Sequence, residues 1–125
     1  MVTLIDTSII IDYLRKKDKV NSPFTTLISQ NYQSISIITY AELYSGKSVW
    51  ETPKAKIILK TLCSNLIILP LTNSIAELAG KIKSKHCTDL ADALIAATAI
   101  QHKLTLATLN IKDFSTIPHL QLIKI

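Results

Sequence analysis

Short apolar runs alternate with longer segments of helical periodicity along the chain. The short runs end at polar or turn-forming residues, which predicts buried strands; they are residues 2–5, 34–38, 66–69, 104–108 and 120–125. Between them, apolar residues recur mostly at helical spacing, which predicts helices at residues 9–15, 24–30, 39–45, 53–63, 74–85 and 89–102. This alternation predicts one α/β domain over residues 1–125, with a mostly parallel sheet covered by helices on both faces.

The helix predicted at residues 89–102 is apolar nearly all round, which indicates a buried helix. Asp92 lies about one turn inside it, where an unpaired charge would be costly. A bound metal ion would offset that cost, and so would a hydrogen-bonded structural partner.

Composition narrows the class of protein. Apolar residues make up 48% of the chain and charged residues 18%, which suits a packed core and excludes a disordered tail. The net charge of +5 favours a polyanionic partner, either nucleic acid or an anionic membrane surface. Cys63 and Cys87 are too few for a disulfide framework, so we expect buried free thiols. With no signal peptide and no membrane-spanning run, we expect a soluble cytoplasmic protein without a membrane partner.

Three acids lie at or near the carboxyl ends of predicted strands. Asp6 follows the first strand, Glu42 lies one turn into the helix after the second, and Asp92 lies one turn into the buried helix. Because ligands bind beyond the carboxyl ends of parallel strands, these acids are expected to converge there. Converging carboxylates repel unless a cation neutralises them, and their oxygens suit Mg²⁺ or Mn²⁺. Such a cation would support phosphodiester hydrolysis.

Each acid also has a structural interpretation. Asp6 is placed to cap the first helix, and the segment from Thr39 to Glu42 fits a capping box. Asp89 and Asp92 both lie in the first turn of a helix, where the helix dipole favours negative charge. The sequence leaves these alternatives open.

Four segments together resemble the PIN-domain family, specifically its VapC-type toxins; they are residues 4–12, 38–46, 91–99 and 106–114. The resemblance implies a three-layer α/β sandwich and endonucleolytic cleavage of RNA with Mg²⁺ or Mn²⁺. It also implies a homodimer and inhibition by a cognate antitoxin. On this basis, Asp6 and Asp92 are the metal ligands, and Glu42 holds the attacking water.

The resemblance extends to supporting residues. The hydroxyls of Thr7, Ser8 and Thr108 are candidates to orient water or phosphate. Asp89 is the reserve for Asp92, or else a helix cap. Many relatives carry a fourth acid at the position of Asn110, and the nearby Asp113 is a candidate to compensate for its absence.

The resemblance also implies an apolar groove that binds the antitoxin beside the active site. The first helix, with Tyr13 and Leu14, and the third, with Leu43 and Tyr44, are the candidates to line it, although some of these side chains must face the core and the sequence does not indicate which. A non-catalytic RNA-binding module is the alternative function, since it would use the basic surface without the acids. A signalling receiver domain is excluded, because residues 66–71 lack the phosphoacceptor aspartate.

Overall fold

Five short strands form one sheet in the order β3-β2-β1-β4-β5, and all four neighbouring pairs are parallel. The computed structural model describes residues 3–30 and 33–123. The strands are β1 (Thr3–Ile5), β2 (Gln33–Ser36), β3 (Ile67–Leu69), β4 (Thr105–Ala107) and β5 (Leu122–Ile123). The predicted parallel sheet is confirmed. Residue 2, and residues 124 and 125 of the last predicted strand, lie outside the described residues.

The strand order reverses at β1, which pairs with β2 on one side and β4 on the other. In register, Leu4 is opposite Ser34 of β2 and Leu106 of β4. In open parallel sheets, the crevice beyond the strand ends at such a reversal is the usual ligand site. The topology therefore directs attention to Asp6, the residue that follows β1.

Eight helices connect these strands in the described part of the chain. They are α1 (Thr7–Arg15), α2 (Pro23–Ile28), α3 (Ile37–Leu43), α4 (Lys47–Glu51), α5 (Pro53–Cys63), α6 (Asn73–Lys85), α7 (Leu90–Gln101) and α8 (Ile111–Phe114). The starts of α2 and α5 follow from local sequence. Each has proline in its first turn, preceded by a hydroxyl side chain that caps a backbone N–H, from Ser22 and Thr52 respectively.

Each face of the sheet carries its own core, because successive strand residues point to opposite faces. Leu4 and Leu106 pack with α6 and α7 on one face. Ile5 and Ile35 pack with α1, α2 and α5 on the other. The result is the expected three-layer α/β sandwich. Among the described residues, no helix combines the length and the apolar character needed to cross a membrane.

The junction between β2 and α3 differs from the sequence prediction. The strand ends at Ser36, and α3 begins at Ile37 because the Ser36 hydroxyl accepts a 3.0 Å hydrogen bond from the Ile38 N–H. Thr39 therefore lies inside α3 and is fully buried, so the capping box from Thr39 to Glu42 is wrong.

The sequence prediction missed two short helices, and one expectation about the cysteines is wrong. The short helices α4 and α8 were not predicted, since five and four residues are too few to show a helical period. Cys63 is buried as expected, whereas Cys87 is exposed.

Candidate functional site

A pocket of about 500 Å³ lies beyond the carboxyl end of β1. It brings together Asp6, Glu42 and Asp92, the three acids singled out in the sequence. Its other lining residues are Thr7, Ser8, Ile11, Asp12, Arg15, Lys16 and Asn110. The central acids therefore share one cavity, although they come from three separate helices or helix starts.

Asp6 is held by hydroxyl groups rather than by a helix. Its side chain is 3% exposed and makes no capping hydrogen bond to α1, so the capping interpretation is wrong. Instead, Ser8 Oγ and Thr108 Oγ1 each donate a 2.7 Å hydrogen bond to Asp6 Oδ2. Two charge-assisted bonds to one oxygen fix the orientation of this buried carboxylate.

The same hydroxyls shape the loop after β4. Ser8 Oγ accepts a 3.1 Å bond from the Leu109 N–H, and Thr108 Oγ1 accepts a 3.0 Å bond from the Asn110 N–H. These bonds hold the segment that brings Asn110 to the pocket. Asp113 lies further along, exposed in α8 and outside the lining of the pocket.

Glu42 is tied to α1. Thr7 Oγ1 lies 2.7 Å from Glu42 Oε1 and 3.0 Å from Thr39 Oγ1. A threonine hydroxyl has one proton to donate, and the carboxylate is the stronger acceptor. Thr7 therefore positions Glu42 at the pocket, and Thr39 is placed to donate its own proton to Thr7.

Asp92 carries the main electrostatic strain of the site. The pKa of Asp92 is raised to about 7, chiefly by burial and then by the nearby charges of Asp89, Asp6, Asp113 and Glu42, in that order of effect. Repulsion of this kind is what a bound cation would relieve.

Asp89 has a different position from Asp92. It is the N-cap residue of α7, and its Oδ1 accepts a 2.7 Å hydrogen bond from the Asp92 N–H. Its side chain is exposed and is absent from the pocket lining. The geometry thus gives Asp89 a capping role and gives Asp92 the place in the pocket.

The pocket also has lining residues that the sequence prediction missed, namely Ile11, Asp12, Arg15 and Lys16. They extend along α1 from Ser8 at intervals of three and four residues, the spacing of one helix face. That periodicity was the available signal. Asp12 and Lys16 form an ion pair with 3.4 Å between Oδ2 and Nζ.

The donor set fits a hydrated hard cation better than a closed protein cage. Across residues 3–30 and 33–123, no three acidic, histidine or cysteine side chains come close enough to hold one ion. Mg²⁺ commonly keeps several waters and uses only one or two carboxylates. Asp6 and Asp92 meet that requirement in chemical type, and the charge of Asp6 is one of the causes, after burial and the charge of Asp89, that raise the pKa of Asp92.

A second, larger cavity of about 850 Å³ lies between α1, α2 and α5. Tyr13, Phe24 and Ile57 contribute to its mainly apolar wall. The sequence-based groove placed Leu43 at such a surface, but Leu43 is only 5% exposed and belongs to the core. This cavity is bordered by α5, and neither Leu43 nor Tyr44 of the predicted third helix lines it.

Comparison with known proteins gives a consistent result. A family model described as PIN domain matches residues 3–120. Toxin FitB of Neisseria gonorrhoeae is 33% identical, with 89% of each chain covered. Ribonuclease VapC19 of Mycobacterium tuberculosis is 32% identical, with 94% of this chain and 96% of that protein covered. The crystal structure of VapBC2 from Rickettsia felis, bound to a promoter DNA fragment, matches with a TM-score of 0.79, 27% identity and 98% coverage of both chains.

The resemblance found in the sequence is therefore confirmed over nearly the whole chain. The matched residues include β1 to β4, all eight helices and every acid of the pocket. The chain belongs to the PIN-domain family, and within that family it is similar to the VapC-type toxins.

Proposed function

We propose that this protein is a Mg²⁺- or Mn²⁺-dependent endoribonuclease and the toxin of a type II toxin–antitoxin pair. The observation that carries the proposal is the convergence of Asp6, Glu42 and Asp92 in one pocket beyond β1. Clustered carboxylates repel one another and so lower the stability of the fold. Their presence in one pocket therefore favours a catalytic role.

Asp6 and Asp92 would hold the cation. Asp6 is pre-oriented by Ser8 and Thr108, so little rearrangement is needed for it to present an oxygen. When bound, the divalent cation stabilises the negative charge that develops on the phosphate and lowers the pKa of a water molecule. Asn110 lines the same pocket and offers a neutral amide for water or phosphate.

Glu42 would orient the attacking water. Its Oε1 accepts the Thr7 hydroxyl, which fixes the carboxylate while other lone pairs stay available. Glu42 then accepts a hydrogen bond from the water that attacks the phosphorus in line with the leaving oxygen. Proper orientation of such a nucleophile is a large part of catalysis.

An antitoxin partner is supported by relatives and by shape. The similar solved structures from Rickettsia felis and Klebsiella pneumoniae are described as VapBC and toxin–antitoxin complexes. In this chain, the apolar groove between α1, α2 and α5 is large enough to accept side chains of an antitoxin segment. We include in the proposal that residues 1–125 form one PIN domain, that the toxin forms a homodimer and that it acts on RNA in the cytoplasm.

The test is RNA cleavage by the purified protein with Mg²⁺ or Mn²⁺, and with a chelator. We expect metal-dependent cleavage that Asp6→Asn, Glu42→Gln and Asp92→Asn each abolish while circular dichroism shows a folded protein. The losses are expected to be strongly non-additive, because the three acids act as one site. Glu77→Gln makes the same carboxylate-to-amide change on an exposed part of α6 and should leave cleavage unchanged.

The same experiment distinguishes a ribonuclease from the alternative function. A folded protein that binds RNA but does not cleave it with either cation would be a non-catalytic RNA-binding module. Partnership is tested separately, by co-purification with the product of the adjacent reading frame. A complex that cleaves RNA as fast as the free protein would contradict inhibition at the active site.

A further inference from the structure

Arg15 is a cation at the edge of an acidic pocket. It lies in the last turn of α1, is exposed, and is one of the residues that line the same cavity as Asp6 and Asp92. Lys16 is the other basic residue of the lining. Each of these two cations is available to bind another anion only if no carboxylate of the protein already neutralises it.

The two cations differ in their partners. Lys16 Nζ pairs with Asp12 at 3.4 Å, so Asp12 offsets its charge. Among the residues that the structure describes, Arg15 forms no ion pair with any acid. The end of α1 therefore places at the pocket one exposed arginine that no acid of the described residues pairs with.

We propose that Arg15 binds a phosphate of the RNA strand next to the one that is cleaved. This role rests on the proposed ribonuclease function. The cleaved phosphate must lie at the acids, and an RNA strand places a further phosphate on either side of it. A guanidinium presents a planar fork of N–H donors that matches two phosphate oxygens, and it cannot lose its charge at physiological pH. Arg15 would thus hold the strand while the acids act on the neighbouring phosphate.

A purely structural role for Arg15 makes a different prediction. A cation in the last turn of a helix interacts favourably with the terminal carbonyl groups, and lysine serves that purpose as well as arginine. Arg15→Lys keeps the charge and the helix end but loses the fork. A phosphate contact predicts that Arg15→Lys weakens RNA binding, whereas a structural role predicts wild-type behaviour.

The binding test uses a 12-nucleotide single-stranded RNA of mixed sequence and the Asp92→Asn background, which prevents cleavage. We expect Arg15→Gln to weaken binding about five- to tenfold near 0.1 M salt, with a smaller loss for Arg15→Lys. The slope of log affinity against log salt should fall by about 0.7, the value for one lost phosphate contact on a single strand.

Lys17→Gln is the matched control. Lys17 is two residues further along, exposed, and outside the pocket lining, yet the variant removes the same charge. We expect its affinity to stay within about twofold of the parent, as for a distant screened charge. Equal losses for Arg15→Gln and Lys17→Gln would overturn the proposal, because they would reflect net charge alone.

Cleavage kinetics with Asp92 restored complete the test. Arg15→Gln should raise KM and leave kcat within about twofold, since Arg15 contacts the substrate away from the reacting phosphate. If wild-type protein cleaves RNA and Arg15→Gln does so with an unchanged KM, the Arg15 role is wrong and the ribonuclease function stands. If folded wild-type protein neither binds nor cleaves RNA, the ribonuclease function itself is wrong, and the role of Arg15 is wrong with it.

Discussion

Thr108 Oγ1 donates a 2.7 Å hydrogen bond to Asp6 Oδ2, although the two residues are 102 positions apart in the chain. Asp6 follows β1 and Thr108 follows β4, and these strands are parallel neighbours at the centre of the sheet. The bond therefore links two strand ends and orients the most buried acid of the candidate active site.

Replacing Thr108 with valine removes this donor at nearly constant volume. Asp6 would lose one of its two hydroxyl partners while remaining buried. A hydrogen bond to a charged group contributes about 1.5–3 kcal/mol, so we expect a fall in the free energy of unfolding of that order. Cleavage should also fall well below the wild-type rate, since Asp6 is then less firmly oriented. Urea unfolding and an RNA cleavage assay measure the two effects.

Thr98→Val is the control for this change. Thr98 is equally buried, but its hydroxyl donates a 2.7 Å bond to the Leu94 carbonyl within α7. We expect a loss of about 1 kcal/mol and no change in cleavage. If Thr108→Val and Thr98→Val affect cleavage equally, the Thr108 hydroxyl has no particular role at Asp6.

We expect Asp92 to make the stability of the metal-free protein depend on pH. Its pKa is about 7 in the folded protein and near the ordinary aspartate value of 3.8 when the chain is unfolded. Between these pH values the folded state binds more protons, so this group lowers the free energy of unfolding as the pH rises. The effect is complete above about pH 7. We expect Asp92→Asn to remove this contribution.

The measurement compares urea midpoints at pH 5 and pH 8 in a chelator. The urea midpoint of the wild type minus that of Asp92→Asn should be more negative at pH 8 than at pH 5. Glu77→Gln, an exposed change in α6, controls for the loss of any carboxylate. A difference that does not change between the two pH values would show that Asp92 does not carry this strain.

Mg²⁺ or Mn²⁺ should raise the melting temperature by several degrees at neutral pH. A ligand that binds only the folded state stabilises it by about 2.7 kcal/mol at one hundred times its dissociation constant. The cation would also relieve the repulsion from neighbouring carboxylates that, after burial, raises the pKa of Asp92. Asp92→Asn should lose most of this response, whereas NaCl at matched ionic strength should produce none in either protein. An unchanged melting curve in millimolar Mn²⁺ would contradict the proposed metal site.

Substitution of Asp89 should affect mainly stability, whereas substitution of Asp92 should affect mainly catalysis. Asp89→Ala removes the side-chain cap of α7, which typically costs about 1 kcal/mol. Asp89→Ala should therefore retain substantial cleavage activity with a lower melting temperature. Asp92→Asn should instead abolish cleavage and keep the folded state. Loss of metal binding in Asp89→Asn greater than that in Asp92→Asn would reverse these assignments.

Local pattern determined most of the elements. The bounds of α5 agree with the prediction, and those of α6 and β3 agree to within one residue. In each case an apolar period or run ends at proline, threonine or a polar turn, so neighbouring residues alone indicate the boundary. Topology rules then predicted the parallel sheet and the convergence of Asp6, Glu42 and Asp92, because carboxyl ends of parallel strands share one edge.

Tertiary structure decided what each side chain does at that edge. From sequence, Asp6 was an equally good helix cap, and Glu42 fitted a capping box. Only the positions of Thr7, Ser8 and Thr108 in space show that hydroxyl groups hold these two acids instead. The partners lie two, 35 and 102 residues from the acids they bind, and the longer separations carry no local signal. The helical spacing of Arg15 from Ser8 places both on one face of α1, but only the packing of α1 on the sheet shows that this face lines the pocket.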